Sequence, residues 1–147
     1  MEGQIKSKEW DWRKRKPNNV LRVKATPERN FFKWWLIFLR PFVSLTPKEI
    51  DIVAAFLERR LELLDRYSDP EVVDTLLMDQ KIKTQVIKEC NITLQHFYVV
   101  MSALRKKNVL SDKGINPRLI PNIRKDENGV FQLLILFEEK VRQKNEL

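Results

Sequence analysis

Residues 91–110 read NITLQHFYVVMSALRKKNVL. Thr93 stands where a helix N-cap belongs, because its hydroxyl can accept from a backbone N–H of the first turn. Phe97, Met101 and Leu104 follow at spacings of four and three, which is the period of one helix face turned towards a core. Arg105, Lys106 and Lys107 occupy the last turn, where cations suit the carbonyl end of the helix. Asn108 then suits a left-handed helix stop, and NVL leaves as a strand. The opposite face of this helix would carry Thr93, Gln95, His96, Val99 and Ser102. The function depends on whether that face meets a nucleic acid or a protein.

Working upstream, IKTQVIKEC gives a shorter helix with Ile82, Val86 and Ile87 inward. CNI makes a tight turn, and Ile92 plugs the space between the two helices. Two helices joined by three or four residues, the second basic at its end, follow the helix-turn-helix plan. In that geometry the N-terminal half of the second helix enters a major groove. Gln95 is the best base reader there, since its amide can pair with adenine through two hydrogen bonds. Arg105, Lys106 and Lys107 sit too late on the helix for base edges and suit phosphates or the acidic scaffold.

Further upstream, SLTPKEI is the clearest helix start in the chain. Thr46 caps, Pro47 takes the first position, Glu49 completes a capping box, and Leu45 with Ile50 forms a hydrophobic staple. The helix predicted from there buries Ile50, Val53, Ala54, Leu57, Leu61 and Leu64. YSDPEVVDTLLMD caps at Ser68 or Asp69 and makes a short helix with Val72, Val73, Leu76 and Leu77. Before these, TPERNFFKWWLIFL predicts a helix capped by Thr26, with Pro27 at its first position and Pro41 at its end. Its aromatic residues surround more than one face, which suits burial in a core or a homodimer through Phe31, Trp34, Trp35 and Phe38. VLRVK at residues 20–24 suits a short strand. Arg13, Lys14, Arg15 and Lys16 mark a basic arm.

Downstream, RLIPNIRKDENGVFQLLILF reads as strand, turn, strand, with the Asn-Gly pair favoured in hairpins. Arg124 and Lys125 fall near the tip, and Pro121 belongs at a strand edge or bulge.

The run at 91–110, followed by this hairpin, resembles the winged helix-turn-helix superfamily over residues 45–137. Ile92, Thr93, Phe97, Met101, Leu104, Lys107, Asn108, Val109 and Leu110 match the superfamily's turn and recognition-helix spacing. The order of elements is similar to that of MarR-like regulators, and KGINPRLIPNI resembles the corresponding strand of RepL-type plasmid replication proteins. The chain departs from the pattern at Leu94, Val99 and Ala103, where many DNA readers are polar or basic, and at Asn108, where glycine is usual. The resemblance implies a mainly α fold with a small β-hairpin: a winged helix-turn-helix domain preceded by a basic arm (1–25) and an aromatic helix (26–44) and followed by a charged tail (138–147).

Charge supports the same expectation. The chain has 147 residues and a net charge of +8. Residues 81–125 alone hold ten basic and two acidic side chains, whereas residues 41–80 hold four basic and nine acidic ones. Such segregation suits a polyanionic partner.

Other classes find little support. Cys90 is the single cysteine, so no internal disulfide forms and nothing suggests secretion. The N-terminus lacks a signal-peptide core, and Lys33 and Arg40 interrupt FFKWWLIFLRPFV before it could span a bilayer. The only imidazole is His96, the three glycines form no phosphate loop, and a zinc site would need more Cys and His. DENG lacks calcium-ligand spacing, and Glu138 and Glu139 point to different faces. The expectation is a non-enzyme without cofactor or metal, acting in a bacterial cytoplasm or phage host cell, or associated with a virion. It would bind double-stranded DNA as a transcriptional regulator or as a replication initiator of a phage or plasmid. The alternative is a structural or adaptor protein, either a phage particle component or a polymerase-associated factor, with the winged helix contacting protein.

Overall fold

A computed structural model describes residues 23–26, 30–123 and 138–139. The chain divides into two units, residues 1–31 and 32–147. In the first, residues 23–26 are exposed and lie in neither helix nor strand. The strand expected at 20–24 is therefore absent at its two described positions, Val23 and Lys24.

Among its described residues the second unit is mainly helical, with a small antiparallel hairpin. Its elements are α1 (Phe31–Phe38, whose first residue belongs to the first unit), α2 (Pro47–Arg66), α3 (Pro70–Leu77), α4 (Gln80–Cys90), α5 (Leu94–Lys106), β1 (Leu110–Ser111) and β2 (Gly114–Ile115). A 3-10 turn at Pro117–Leu119 follows.

Helix α1 begins at Phe31, and Asn30 before it is not helical. Thr26 therefore does not cap it. A Thr-Pro start signal stabilises only one turn, while a helix this short forms where tertiary burial supports it. Here Phe32 and Leu36 supply that burial. Leu39 to Phe42 continue as turns, with Pro41 blocking further helix.

Helix α2 starts as its sequence predicts. The Thr46 hydroxyl accepts from the Glu49 N–H at 3.2 Å, and the Glu49 carboxylate accepts from the Thr46 N–H at 2.8 Å. Leu45 and Ile50 are both buried, as a staple requires. From Ile52 to Leu57 the helix is buried all round, so Ile52, Ala55 and Phe56 join the expected core positions. Leu61 and Leu64, also expected in the core, are only half-buried. α2 is the axis on which α3, α4 and α5 pack. Ion pairs tie it to two of these neighbours: Arg60 to Asp74 of α3 at 2.9 Å, and Arg59 to Glu89 of α4.

The strand expected from Arg118 is not present among the described residues. Asn116 caps a 3-10 turn by accepting from the Arg118 N–H at 3.1 Å, and residues 120–123 are irregular, with Pro121 buried. An Asn-Pro pair favours a turn, because the Asn side chain can satisfy the backbone that a strand partner would otherwise engage. The hairpin observed lies earlier, paired Leu110 to Ile115 and Ser111 to Gly114. The one expected around Asn128 and Gly129 lies outside the described residues. Gly114 is required where it stands: its φ is +116°, and a Cβ there would come within 3.1 Å of Asp74 on α3.

Candidate nucleic-acid interface

The α4–α5 pair is held by local chemistry at each end. Asn91 closes α4 in the left-handed region at φ 53°. Its N–H donates to the Lys88 carbonyl, and the Ile92 N–H donates to the Ile87 carbonyl, the two bonds of a Schellman stop. Ile92, half-buried, occupies the turn as expected. Two residues after Asn91, the Thr93 hydroxyl accepts from the His96 N–H at 3.1 Å and opens α5. The turn between the helices is thus three residues, 91–93, set by an asparagine and a threonine.

The far end of α5 repeats the device. Asn108 has φ 62°, its N–H donates to the Arg105 carbonyl, and the Val109 N–H donates to the Leu104 carbonyl. Val109 and Leu104 are both fully buried, as the accompanying apolar contact of this motif requires. The reversal sends the chain into β1. The Asn116 side chain then donates to the Asn108 carbonyl at 2.9 Å and ties the hairpin's exit to its entrance.

Burial divides α5 into two faces. Phe97, Val100, Met101 and Leu104 are buried, with the Phe97 ring 6.4 Å from that of Phe56 on α2. All five sequence-predicted reader positions, Thr93, Gln95, His96, Val99 and Ser102, are exposed, as are Arg105 and Lys106. Gln95, Val99, Ser102 and Lys106, spaced four, three and four, form the row opposite the core. Leu94, Tyr98 and Arg105 flank it. Three of these side chains are apolar or aromatic yet stand in water: Val99 at 63 %, Leu94 at 54 % and Tyr98 at 43 % exposure. Lone exposed apolar residues are ordinary, but three within six positions on one helix make a patch.

The basic residues at the end of α5 separate into two roles. Lys107 is structural: its ammonium donates to the Ser44 carbonyl and to Glu49 Oε1, at 2.7 Å each. Glu49 is only 4 % exposed, so the α2 capping box carries a buried carboxylate whose counter-ion comes from the end of α5. Lys107 thus takes the acidic-scaffold role and holds the two helix ends together. Arg105 faces Asp112 at 3.8 Å in a solvent-exposed pair, worth little and easily exchanged for a phosphate. Lys106 has no acidic partner within salt-bridge reach among the described residues.

Arg13, Lys14, Arg15, Lys16, Arg124 and Lys125 lie outside the described residues. Sequence reasoning passed over Lys113 and Arg118, both exposed cations beyond α5. Lys113 sits in the turn of the observed hairpin, where its N–H donates to Ser111 Oγ at 3.2 Å. The run SDKG was the available signal, because a Ser-Asp start and a glycine exit mark a tight turn.

Elsewhere the surface offers little chemistry. An apolar cleft of about 300 Å³ is lined by Phe32, Leu57, Leu61, Leu64, Ile120 and Pro121, and the Arg60 beside it is engaged by Asp74. Burial first, then the charges of Asp51 and Glu89, push the Cys90 thiol up to about 11, so it stays protonated and unreactive near neutral pH. Among the described residues no cluster of His, Cys, Asp and Glu could hold a metal ion, and no helix is long and apolar enough to cross a membrane. No protein family, curated protein or solved structure matches the chain.

Proposed function

We propose that this chain is a non-catalytic, winged-helix-type protein that binds double-stranded DNA through α5, as a transcriptional regulator or a replication initiator of a phage or plasmid. The observation that carries this reading is the outward row of α5. Gln95, Val99 and Ser102 stand clear of the core on a helix entered through a three-residue turn, and Lys106, a cation without an acidic partner among the described residues, ends the row. A helix in a major groove uses its N-terminal half for base edges and flanking cations for phosphates. Arg105 and Lys113 add to the second group. The basic arm at Arg13–Lys16 would lie in a neighbouring minor groove, and Arg124 and Lys125 would supply the wing's backbone contacts. The protein would act as a homodimer through the aromatic helix α1, matching two half-sites about one DNA turn apart.

The rival is an adaptor whose α5 packs on protein, and the exposed Leu94, Tyr98 and Val99 are what favour it. One experiment separates them. Full-length protein is titrated against a labelled random duplex of about thirty base pairs, and against the single strand, by fluorescence anisotropy over a salt series. Duplex binding is expected to weaken steeply with salt, with a log–log slope of about −0.9 per phosphate contacted. Lys106→Ala should weaken all sequences alike and flatten that slope by about one, while Gln95→Ala should relax base preference. Absence of duplex binding even at low salt would favour the adaptor.

A further inference from the structure

An apolar side chain held in water on a ligand-facing row gains free energy only where the ligand presents apolar surface to it. In a duplex major groove that surface is the C5-methyl of thymine. Val99, the most exposed large apolar residue of α5, lies one turn after Gln95 in the same outward row. The Gln95 amide can donate to N7 and accept from the N6 amino group of adenine. Four residues of helix rise about 6 Å, and base pairs stack about 3.4 Å apart. Side chains one turn apart therefore address base pairs one or two steps apart. The same row ends in Lys106, with Arg105 beside it, and residues 81–125 hold ten basic against two acidic side chains. This charge fits a polyanion and disfavours an apolar protein groove as the occupant. Gln95 and Ser102 also interrupt the apolar row, which a helix-binding groove would need unbroken.

We propose that α5 reads an A·T-containing step of the duplex, with Gln95 on adenine and Val99 packed against a thymine methyl one or two base pairs away. The proposal rests on the duplex-binding reading above and deepens it. Leu94 and Tyr98, spaced by four in the adjoining row, extend the apolar surface on one side of Val99.

The test begins with full-length protein and a random duplex pool, from which bound sequences are enriched. The best duplex is then made in two forms, with thymine and with uracil, which differ only in the methyl. Enriched sites are expected to share an A·T core. The uracil form should bind about fourfold more weakly for each methyl contacted. Val99→Ala should bring the two forms to equal affinity while keeping the adenine preference; Gln95→Ala should lose that preference and keep the thymine–uracil ratio. Both positions are exposed, so neither variant disturbs the core. Equal binding of both forms by the unaltered protein, or enrichment of G·C sites, overturns the thymine contact and leaves duplex binding standing. A pool that yields no bound duplex overturns the duplex reading, and this inference with it.

Discussion

Glu58 on α2 lies against Glu89 of α4, and its carboxyl is held above its ordinary value of 4.5. Partial burial is the largest cause, followed by the charge of Glu89 and a hydrogen bond to it, with Arg59 acting in the opposite sense. A carboxyl with a raised pKa in the fold binds its proton more tightly there than in the unfolded chain. Its support for the fold is therefore complete below about 4.5 and is lost as pH rises through the higher folded value. Glu58→Gln retains a donor towards Glu89 and cannot ionise. Thermal melts should give the variant the higher Tm near pH 7, with the gap closing towards pH 4. A gap that stayed constant with pH would rule out ionisation as its origin.

At the scale of elements, α5 is defined by residues that act within four positions of themselves. Thr93 opens it and Asn108 closes it, and both were legible because a cap requires one side chain and one backbone geometry. Asn108 carries a positive φ that costs most side chains free energy. Asn108→Ala should lower stability by about 1 kcal/mol in urea unfolding, and Asn108→Gly should be neutral or slightly stabilising. An alanine variant as stable as the parent would show that the Schellman stop contributes nothing. The hairpin was less legible. It forms at Ser111–Gly114, where β1 follows directly from the α5 stop and Gly114 fits against Asp74, whereas the Asn-Gly turn expected at 128–129 lies outside the described residues.

For the whole molecule, the aromatic helix α1 serves the core of its own unit and also leaves apolar surface. Phe32 and Leu36 are buried, and the Trp35 indole donates to the Leu119 carbonyl at 2.8 Å. Trp34, Ile37, Phe38 and, in the following turn, Phe42 are exposed. Of the four residues expected at a dimer contact, Trp35 is therefore engaged within the chain, and Phe31 is half-buried. A homodimer through the rest should give twice the 17.6 kDa chain mass by light scattering. The double variant Phe38→Glu, Phe42→Glu should return the single-chain mass, because two carboxylates would have to be desolvated at the contact. A single-chain mass for the unaltered protein would remove the dimer.

The sequence by itself determined where α2 and α5 begin, where α4 and α5 stop, and which face of α5 looks outward. All of these follow from side chains acting on backbone a few residues away, or from a 3.6-residue period. Tertiary structure decided the rest. Ile52, Ala55 and Phe56 are core because α2 is packed by α3, α4 and α5, and no period within α2 announces how many neighbours it has. Lys107 is a structural cation because Glu49, 58 residues earlier, is brought to it buried and needs a counter-ion. α1 is held in place by the burial of Phe32 and Leu36, which depends on what packs against them and not on a signal within the helix. A local signal fixes a dihedral angle or a cap; which surfaces meet is set by contacts between residues far apart in the chain.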